Sequence, residues 1–339
     1  MENIEALKEI LKTPRKIAIV THRNPDGDAI GSSLGLFHYL SRNGHDATVI
    51  FPSRYPLLFD YLPGTDYIVI DDDHPDDAQK VCEEADVIFC LDFNSLARID
   101  RIGEVIAQQE KPKVMIDHHL EPDDFADYTY SDPTASSTCE MLYKFISEML
   151  DDRELVDKTI GECLYTGILT DTGSFSYATS PALYRTVANI CEAGIDSTYI
   201  QNKIFNGQNE KQLRLLGYSL TEAMRLYNNY NVGIIVLTLQ DHRRFRIKRG
   251  DTEGIVNYVL KMKNMRMAIL MCEREGCVKM SFRSKGAFSV QEIAQKYFDG
   301  GGHRNASGGV SHDTIGGTIK KLKDIFETYK ELLNAEADY

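Results

Sequence analysis

Eight side chains able to bind a divalent cation or move a proton recur at four places in the chain. They are His22, Asp26 and Asp28 in "THRNPDGDAIG", Asp92 in "VIFCLDF", Asp117, His118 and His119 in "VMIDHH", and Asp171 in "GILTDTG". The first three groups each follow an apolar run. An unpaired carboxylate in such a setting is costly, so something cationic should sit among them. Two histidines with several carboxylates suit Mn²⁺ or Mg²⁺, and the lack of cysteine in the set argues against structural zinc. One aspartate shared by two ions would let them lie about 3.5–4 Å apart, the spacing of two-metal hydrolysis. Taken singly, each piece has a simpler explanation. H-x3-D-x-D can be a helix cap and a loop, Asp92 a strand-end cap, and "DHH" a turn. Three successive strand-like runs, each ending in ligand-type residues, favour one common site.

For these residues to meet, the runs that carry them must lie side by side. "RKIAIVTH", "DATVIFP", "DVIFCLDF" and "PKVMIDHH" read as strands. Helical "AIGSSLGLFHYLSRNG", which closes on a glycine, and "LARIDRIGEVIAQQ" fall between them. Nearly continuous apolar strands separated by helices predict a parallel sheet covered on both faces. Ligands of such sheets bind beyond the carboxyl ends of the strands. From "SSTCEMLYKFISEML" the pattern is helical, and "EKQLRLLGYSLTEAMRLY" reads as one more long helix. After "NNYN" it changes to strands "VGIIVLTL", "RMAILMCE" and "CVKMSFRS" with helices among them, a glycine-rich loop and a helix near 313–335. The expected fold is α/β: a parallel-sheet domain with covering helices over 1–190, a helical linker over 191–229, and a smaller α/β domain over 230–339.

Apolar residues make up 42% and charged residues 26% of the 339, which excludes a disordered chain. The net charge of −13 speaks against a coat for long nucleic acid. Its distribution is uneven: residues 230–339 balance at +5 and residues 1–229 at −18. An acidic first part and a mildly basic second part suit a metal-holding half and an anion-binding half. Seven scattered cysteines without a C-x-x-C pair form neither a disulfide framework nor a zinc ribbon. The first residues resemble no signal peptide, and no apolar run reaches the roughly 18–20 residues that span a bilayer. The cytoplasm is the expected location, with no membrane partner.

The motifs "THRNPDGDAIGSSLG", "LDFNSLARID", "IDHHL" and "TGILTDTGSFSY" resemble, in order, those of the DHH phosphoesterase superfamily. "MSFRS" and "IAQKYFDGGGHRNASGG" resemble its first type of associated C-terminal domain. Length and second domain are similar to the NrnA-like branch, which acts on short RNA and on 3′,5′-bisphosphate nucleotides. The resemblance implies two Mn²⁺ ions, with Mg²⁺ or Co²⁺ as substitutes. His22 and Asp26 would hold one, Asp28, His118 and Asp171 the other, and Asp92 would bridge them. Water activated between them would attack phosphorus. Asp117 would orient a neighbour, and His119 would either stabilise charge on the phosphate or protonate the leaving oxygen. The glycine loop with Gly301, Gly302 and His303 would approach an anion, Arg283 would clamp phosphate, and Arg98 is a further substrate contact.

The activity so implied is hydrolysis of very short single-stranded RNA to mononucleotides, together with dephosphorylation of adenosine 3′,5′-bisphosphate. Alternatives are a phosphodiesterase for cyclic dinucleotides or linear pApA and pGpG, and an inert nucleotide-binding regulator. Long duplex nucleic acid is not an expected partner, and a homodimer is left open. Three features are discounted. "DDDHPDD" at 71–77 reads as a solvated acidic turn that no strand end presents, and "HRRFRIKR" at 242–249 as an exposed basic turn. The small residues of "GDAIGSSLG" read as a device for close helix–sheet packing, not as a dinucleotide fingerprint.

Overall fold

The computed structural model describes every residue except 2, 249 and 336–339, and the chain divides into two compact units, 1–207 and 208–339. In the first, six strands run β1 (Lys16–Thr21), β2 (Asp46–Phe51), β3 (Ile68–Ile70), β4 (Val87–Leu91), β5 (Lys113–Asp117) and β6 (Tyr128–Ser131). Every pairing is parallel, in the order β3-β2-β1-β4-β5-β6. The strand order reverses between β1 and β4, so a crevice opens beyond their carboxyl ends. Helices α1 (Ile4–Leu11), α2 (Gly27–Arg42), α3 (Pro75–Glu84), α4 (Asp100–Ala107), α5 (Thr138–Lys144), α6 (Lys158–Asp171), α7 (Pro181–Glu192) and α8 (Ser197–Phe205) complete the unit. Central strands are buried on both faces because their β-branched residues feed two cores. Ile17, Ile19, Phe89 and Ile116 pack against α2, α5 and α6, whereas Ala18, Val20, Cys90 and Met115 pack against α3 and α4.

Strands β3 and β6 were not legible as runs. They are three and four residues long and only partly buried, so no alternation marks them. The glycines of "GDAIGSSLG" serve helix–helix packing, not the helix–sheet packing expected. A methyl on Gly35 would touch Leu164 of α6 at 2.9 Å, and one on Gly27 would overlap Thr170.

The second unit has strands β7 (Met224–Tyr227), β8 (Val232–Leu237), β9 (Met267–Arg274), β10 (Cys277–Ser284), β11 (Gly301–His303) and β12 (Ala306–Ser311). Their order is β11-β12-β10-β9-β8-β7, with only β8–β9 parallel. Helices α9 (Glu210–Thr221), α10 (Leu239–Arg244), α11 (Ile255–Leu260), α12 (Val290–Tyr297), α13 (Ile315–Thr328) and α14 (Lys330–Asn334) cover it. Residues 191–229 are shared between the units: α8 packs on α6, while α9 packs on β7 and β8. The long helix expected through Tyr227 stops at Thr221, and "MRLY" instead pairs with β8. The glycine-rich loop is a hairpin of β11 and β12, in which Gly302 takes φ 136°. A methyl on Gly309 would sit 2.9 Å from Phe298, so part of the glycine run serves packing. Five cysteines are buried thiols, Cys191 is exposed and Cys277 half-buried. Among the described residues no helix is long and apolar enough to cross a membrane.

Candidate metal centre

The loops after β1, β4 and β5 and the end of α6 converge in the crevice of the parallel sheet. Asp26 caps α2, its Oδ1 accepting from the N–H groups of Asp28 and Ala29 at 3.1 Å each. The cap and the candidate ligand are therefore the same side chain. The Arg23 N–H donates to the Arg98 carbonyl at 3.0 Å, which ties the first loop to the loop after β4. Asp92 takes φ 65°, a left-handed conformation that an aspartate holds only where its surroundings impose it. Asp171 is the last residue of α6, where the helix dipole disfavours a carboxylate. Neither conformation nor position is explained by local stability.

Asp92 stands at the centre. His22 Nε2 lies 3.3 Å from Asp92 Oδ2 and 3.9 Å from Asp26 Oδ1. His118 Nε2 lies 3.3 Å from Asp171 Oδ2, 3.6 Å from Asp92 Oδ1 and 3.8 Å from Asp28 Oδ2. Three sets of three donors meet at Asp92: His22–Asp26–Asp92, Asp28–Asp92–His118 and Asp92–Asp117–His119. His119 stands 3.8 Å from Asp92 through Nδ1, which is bonded to Asp117 Oδ1 at 2.7 Å. The Asp117 carboxylate accepts, so Nδ1 carries the proton and Nε2 the lone pair.

The electrostatics are those of crowded negative charge. Among the described residues no lysine or arginine lies within 4.0 Å of Asp26, Asp28, Asp92 or Asp171; histidines alone do. Burial, and then repulsion from Asp28, push the Asp92 carboxyl well above its usual range and Asp171 up to about 7. Burial also raises Asp28. Burial alone would lower His118, but its hydrogen bond to Asp171 and the surrounding carboxylates hold its imidazole well above the ordinary value. His119 goes the other way: burial, then the charge of Arg98, keep it well below, and hence neutral. Carboxylates that repel one another and imidazoles without a sulfur donor match a hard or borderline divalent cation, so the donor set fits such ions.

Of the expected residues, His22, Asp26, Asp28, Asp92, Asp117, His118, His119 and Asp171 all meet here, and Arg98 lies near enough to His119 to perturb it. Arg283, Gly301, Gly302 and His303 come together in the second unit. Arg283 pairs with Ala306, which pairs on its other side with His303. Ser307 donates to the His303 carbonyl at 2.7 Å, closing this hairpin.

Thr138 was missed. Its hydroxyl donates to Asp92 Oδ1 at 3.0 Å, and the N–H groups of Thr138 and Cys139 donate to Asp28 at 2.6 and 2.9 Å. The start of α5 thus orients two carboxylates. A signal existed in "SSTCE": Ser137 accepts from the Glu140 N–H while Glu140 accepts from the Ser136 N–H. The acidic stretch at 71–77 is a turn exposed from Asp72 onward, as expected, but strand β3 presents it and its first three aspartates are paired: buried Asp71 with Arg101, Asp72 with Arg23, Asp73 with Arg54.

Residues 16–168 match the model of the DHH family, N-terminal domain, and residues 229–335 that of the DHHA1 domain. The bifunctional oligoribonuclease and PAP phosphatase NrnA of Thermus thermophilus is 30% identical over 338 residues, covering 98% of this chain and 93% of that protein. The chain belongs to the DHH family. It is a hydrolase of phosphate esters. The crystal structure of an exopolyphosphatase-related protein from Bacteroides fragilis is 40% identical to it and superposes with a TM-score of 0.93, each chain covered to 97%. The cyclic-di-AMP phosphodiesterase PdeA of Listeria monocytogenes is 24% identical, and the match takes in 96% of this chain but 49% of PdeA.

Proposed function

We propose that this protein hydrolyses short oligoribonucleotides to mononucleotides and removes a phosphate from adenosine 3′,5′-bisphosphate, using two Mn²⁺ ions. The observation that carries the reading is the sharing of Asp92 between histidine–carboxylate sets whose carboxylates have no lysine or arginine within 4.0 Å among the described residues. His22 and Asp26 would hold one cation, Asp28, His118 and Asp171 the second, and Asp92 would serve both. Bound there, the cations supply Lewis acidity toward a phosphoryl group and a lowered pKa for water. The protein supplies the rest. Thr138 and the start of α5 fix Asp92 and Asp28, so the donors need no rearrangement before substrate arrives. Asp117 fixes the His119 ring, whose neutral Nε2 is left as a proton acceptor and not the proton donor first expected. Arg98 adds positive charge where charge develops on phosphorus oxygens. In the second unit Arg283, Gly301, Gly302 and His303 bind the substrate. Full-length homology to NrnA of Thermus thermophilus favours short RNA and the bisphosphate over the cyclic dinucleotide of PdeA.

The deciding assay offers a 5′-phosphorylated RNA dimer, an RNA 24-mer, adenosine 3′,5′-bisphosphate and cyclic di-AMP to the protein with Mn²⁺. Fast turnover of the dimer and bisphosphate and slow turnover of the 24-mer is expected. Turnover of cyclic di-AMP alone would overturn the reading. Asp92→Asn should abolish activity and reduce the Mn²⁺ stoichiometry measured by calorimetry. In chelator it should raise the melting temperature, because one repelling charge is gone.

A further inference from the structure

One face of the second sheet carries three cations close together. The register sets Arg283 opposite Ala268, and the Lys285 N–H donates to the Arg266 carbonyl at 3.0 Å, extending the pairing by one step. Side chains alternate along strands, so Arg266, Arg283 and Lys285 share a face with Ala268. Arg266 is directly opposite Lys285 and diagonal to Arg283, at Cβ separations of about 5 and 7 Å. Like charges so placed repel. Among the described residues no carboxylate lies within 4.0 Å of any of the three: Arg283 Nη1 donates to the Phe282 carbonyl and Lys285 Nζ to that of Met262. Arg266 is 8% exposed, and its Nε and Nη1 are buried with no hydrogen-bond partner. A buried guanidinium with unanswered N–H groups destabilises the unit unless an anion provides the acceptors.

We propose that Arg266, with Arg283 and Lys285, forms a subsite for a terminal phosphomonoester, and that Arg266 sets specificity for it over a phosphodiester. The proposal rests on the reading that the second unit binds substrate. A monoester carries nearly two charges and three acceptor oxygens, which match three cations and the fork of a guanidinium. A diester offers one charge and two free oxygens and leaves part of the cluster unanswered.

The test uses the full chain with Arg266→Met and Arg266→Lys. With chelator present, inorganic phosphate should raise the melting temperature of the natural protein, less that of Arg266→Lys, and not that of Arg266→Met. In phosphate-free buffer Arg266→Met should melt higher than the natural protein, since an unanswered buried charge has been removed. With Mn²⁺, Arg266→Met should raise KM for the 5′-phosphorylated RNA dimer about 10–100-fold, the loss of one charged hydrogen-bonding group. kcat should stay within about threefold, and the preference over the unphosphorylated dimer should disappear. A merely structural Arg266 would lower the melting temperature when replaced and leave the phosphate-induced rise intact, and that pair of results would overturn the proposal. If no short RNA is turned over, the proposed function fails, and the phosphate shift in chelator still decides the role of Arg266.

Discussion

Helix α6 passes Asp28 so closely that Gly167 has no room for a side chain. A methyl there would lie 2.7 Å from Asp28 Oδ1 and 3.0 Å from Asp28 Cα, and would overlap Cys139 Sγ. Relaxed contact needs roughly 3.5 Å, so Gly167→Ala must move α2 away from α6 by several tenths of an ångström. Asp28 cannot swing aside, because both its oxygens are held by N–H groups of α5. Overpacking of this kind costs about 1–3 kcal/mol, and three contacts with fixed atoms place it near ~3. Replacing a mid-helix glycine returns about 1 kcal/mol. The net loss is ~2 kcal/mol, or a melting temperature lower by about 4–8 °C for a unit of this size. Asp171 lies one turn beyond Gly167 on α6, so the same displacement separates Asp28 from Asp171. Mn²⁺ affinity at 25 °C, where the variant remains folded, should fall at least tenfold. Gly35→Ala is the control: in the same helix pair its methyl comes close only to the Leu164 side chain, at 2.9 Å from its tip, and touches no backbone or metal-site atom, so both readouts should change less. Differential scanning calorimetry and Mn²⁺ titration measure the two effects. A Gly167→Ala protein that melts within 1 °C of the natural one and binds Mn²⁺ equally would refute the claim that this approach sets the donor geometry.

Thr138→Val removes the hydroxyl that holds Asp92 while keeping shape, and should weaken Mn²⁺ binding about 10–100-fold with little effect on the fold, as titration against circular dichroism will show. Stability should depend on pH with opposite signs in chelator and in Mn²⁺. The folded-state pKa of Asp171 is raised to about 7 and that of His118 stands well above 6.5, so without metal both bind more protons folded than unfolded. Their contribution is lost as pH rises through those values, and the melting temperature in chelator should therefore rise between pH 8.5 and 6.5 on acidification. Below about 6.5 the depressed His119 opposes it, since its unfolded form takes the proton first. With Mn²⁺ the trend over the same window should reverse, because protons and cations compete for the same donors. A melting temperature falling on acidification in chelator would show that the carboxylates do not repel as described.

Much of this was legible without coordinates. The runs that became β1, β4 and β5 are apolar on both faces and end in ligand-type residues. Parallel strands point their carboxyl ends one way, so His22, Asp92 and His118 had to emerge on the same edge. Asp171 was legible as a residue but not as a helix end, and the sequence could not say that it sits where the dipole opposes it. Short or half-exposed elements were not legible. Strand β3 left Asp71, Asp72 and Asp73 looking like a loose turn, and only the fold supplied their arginines. "MRLY" continued a helical pattern until pairing with β8 outweighed local propensity.

What the sequence determined by itself was the periodicity and residue types, and through them the parallel sheet and its line of donors. Tertiary structure decided which oxygen meets which nitrogen: that Asp92 is common to several donor sets, that Thr138 holds it, and that Nε and Nη1 of Arg266 are buried without an acceptor. The reason is physical. Periodicity is a property of neighbours along the chain, whereas these contacts join residues as far apart as Asp28 and Cys139, and their geometry is set by how closely α2, α5 and α6 pack.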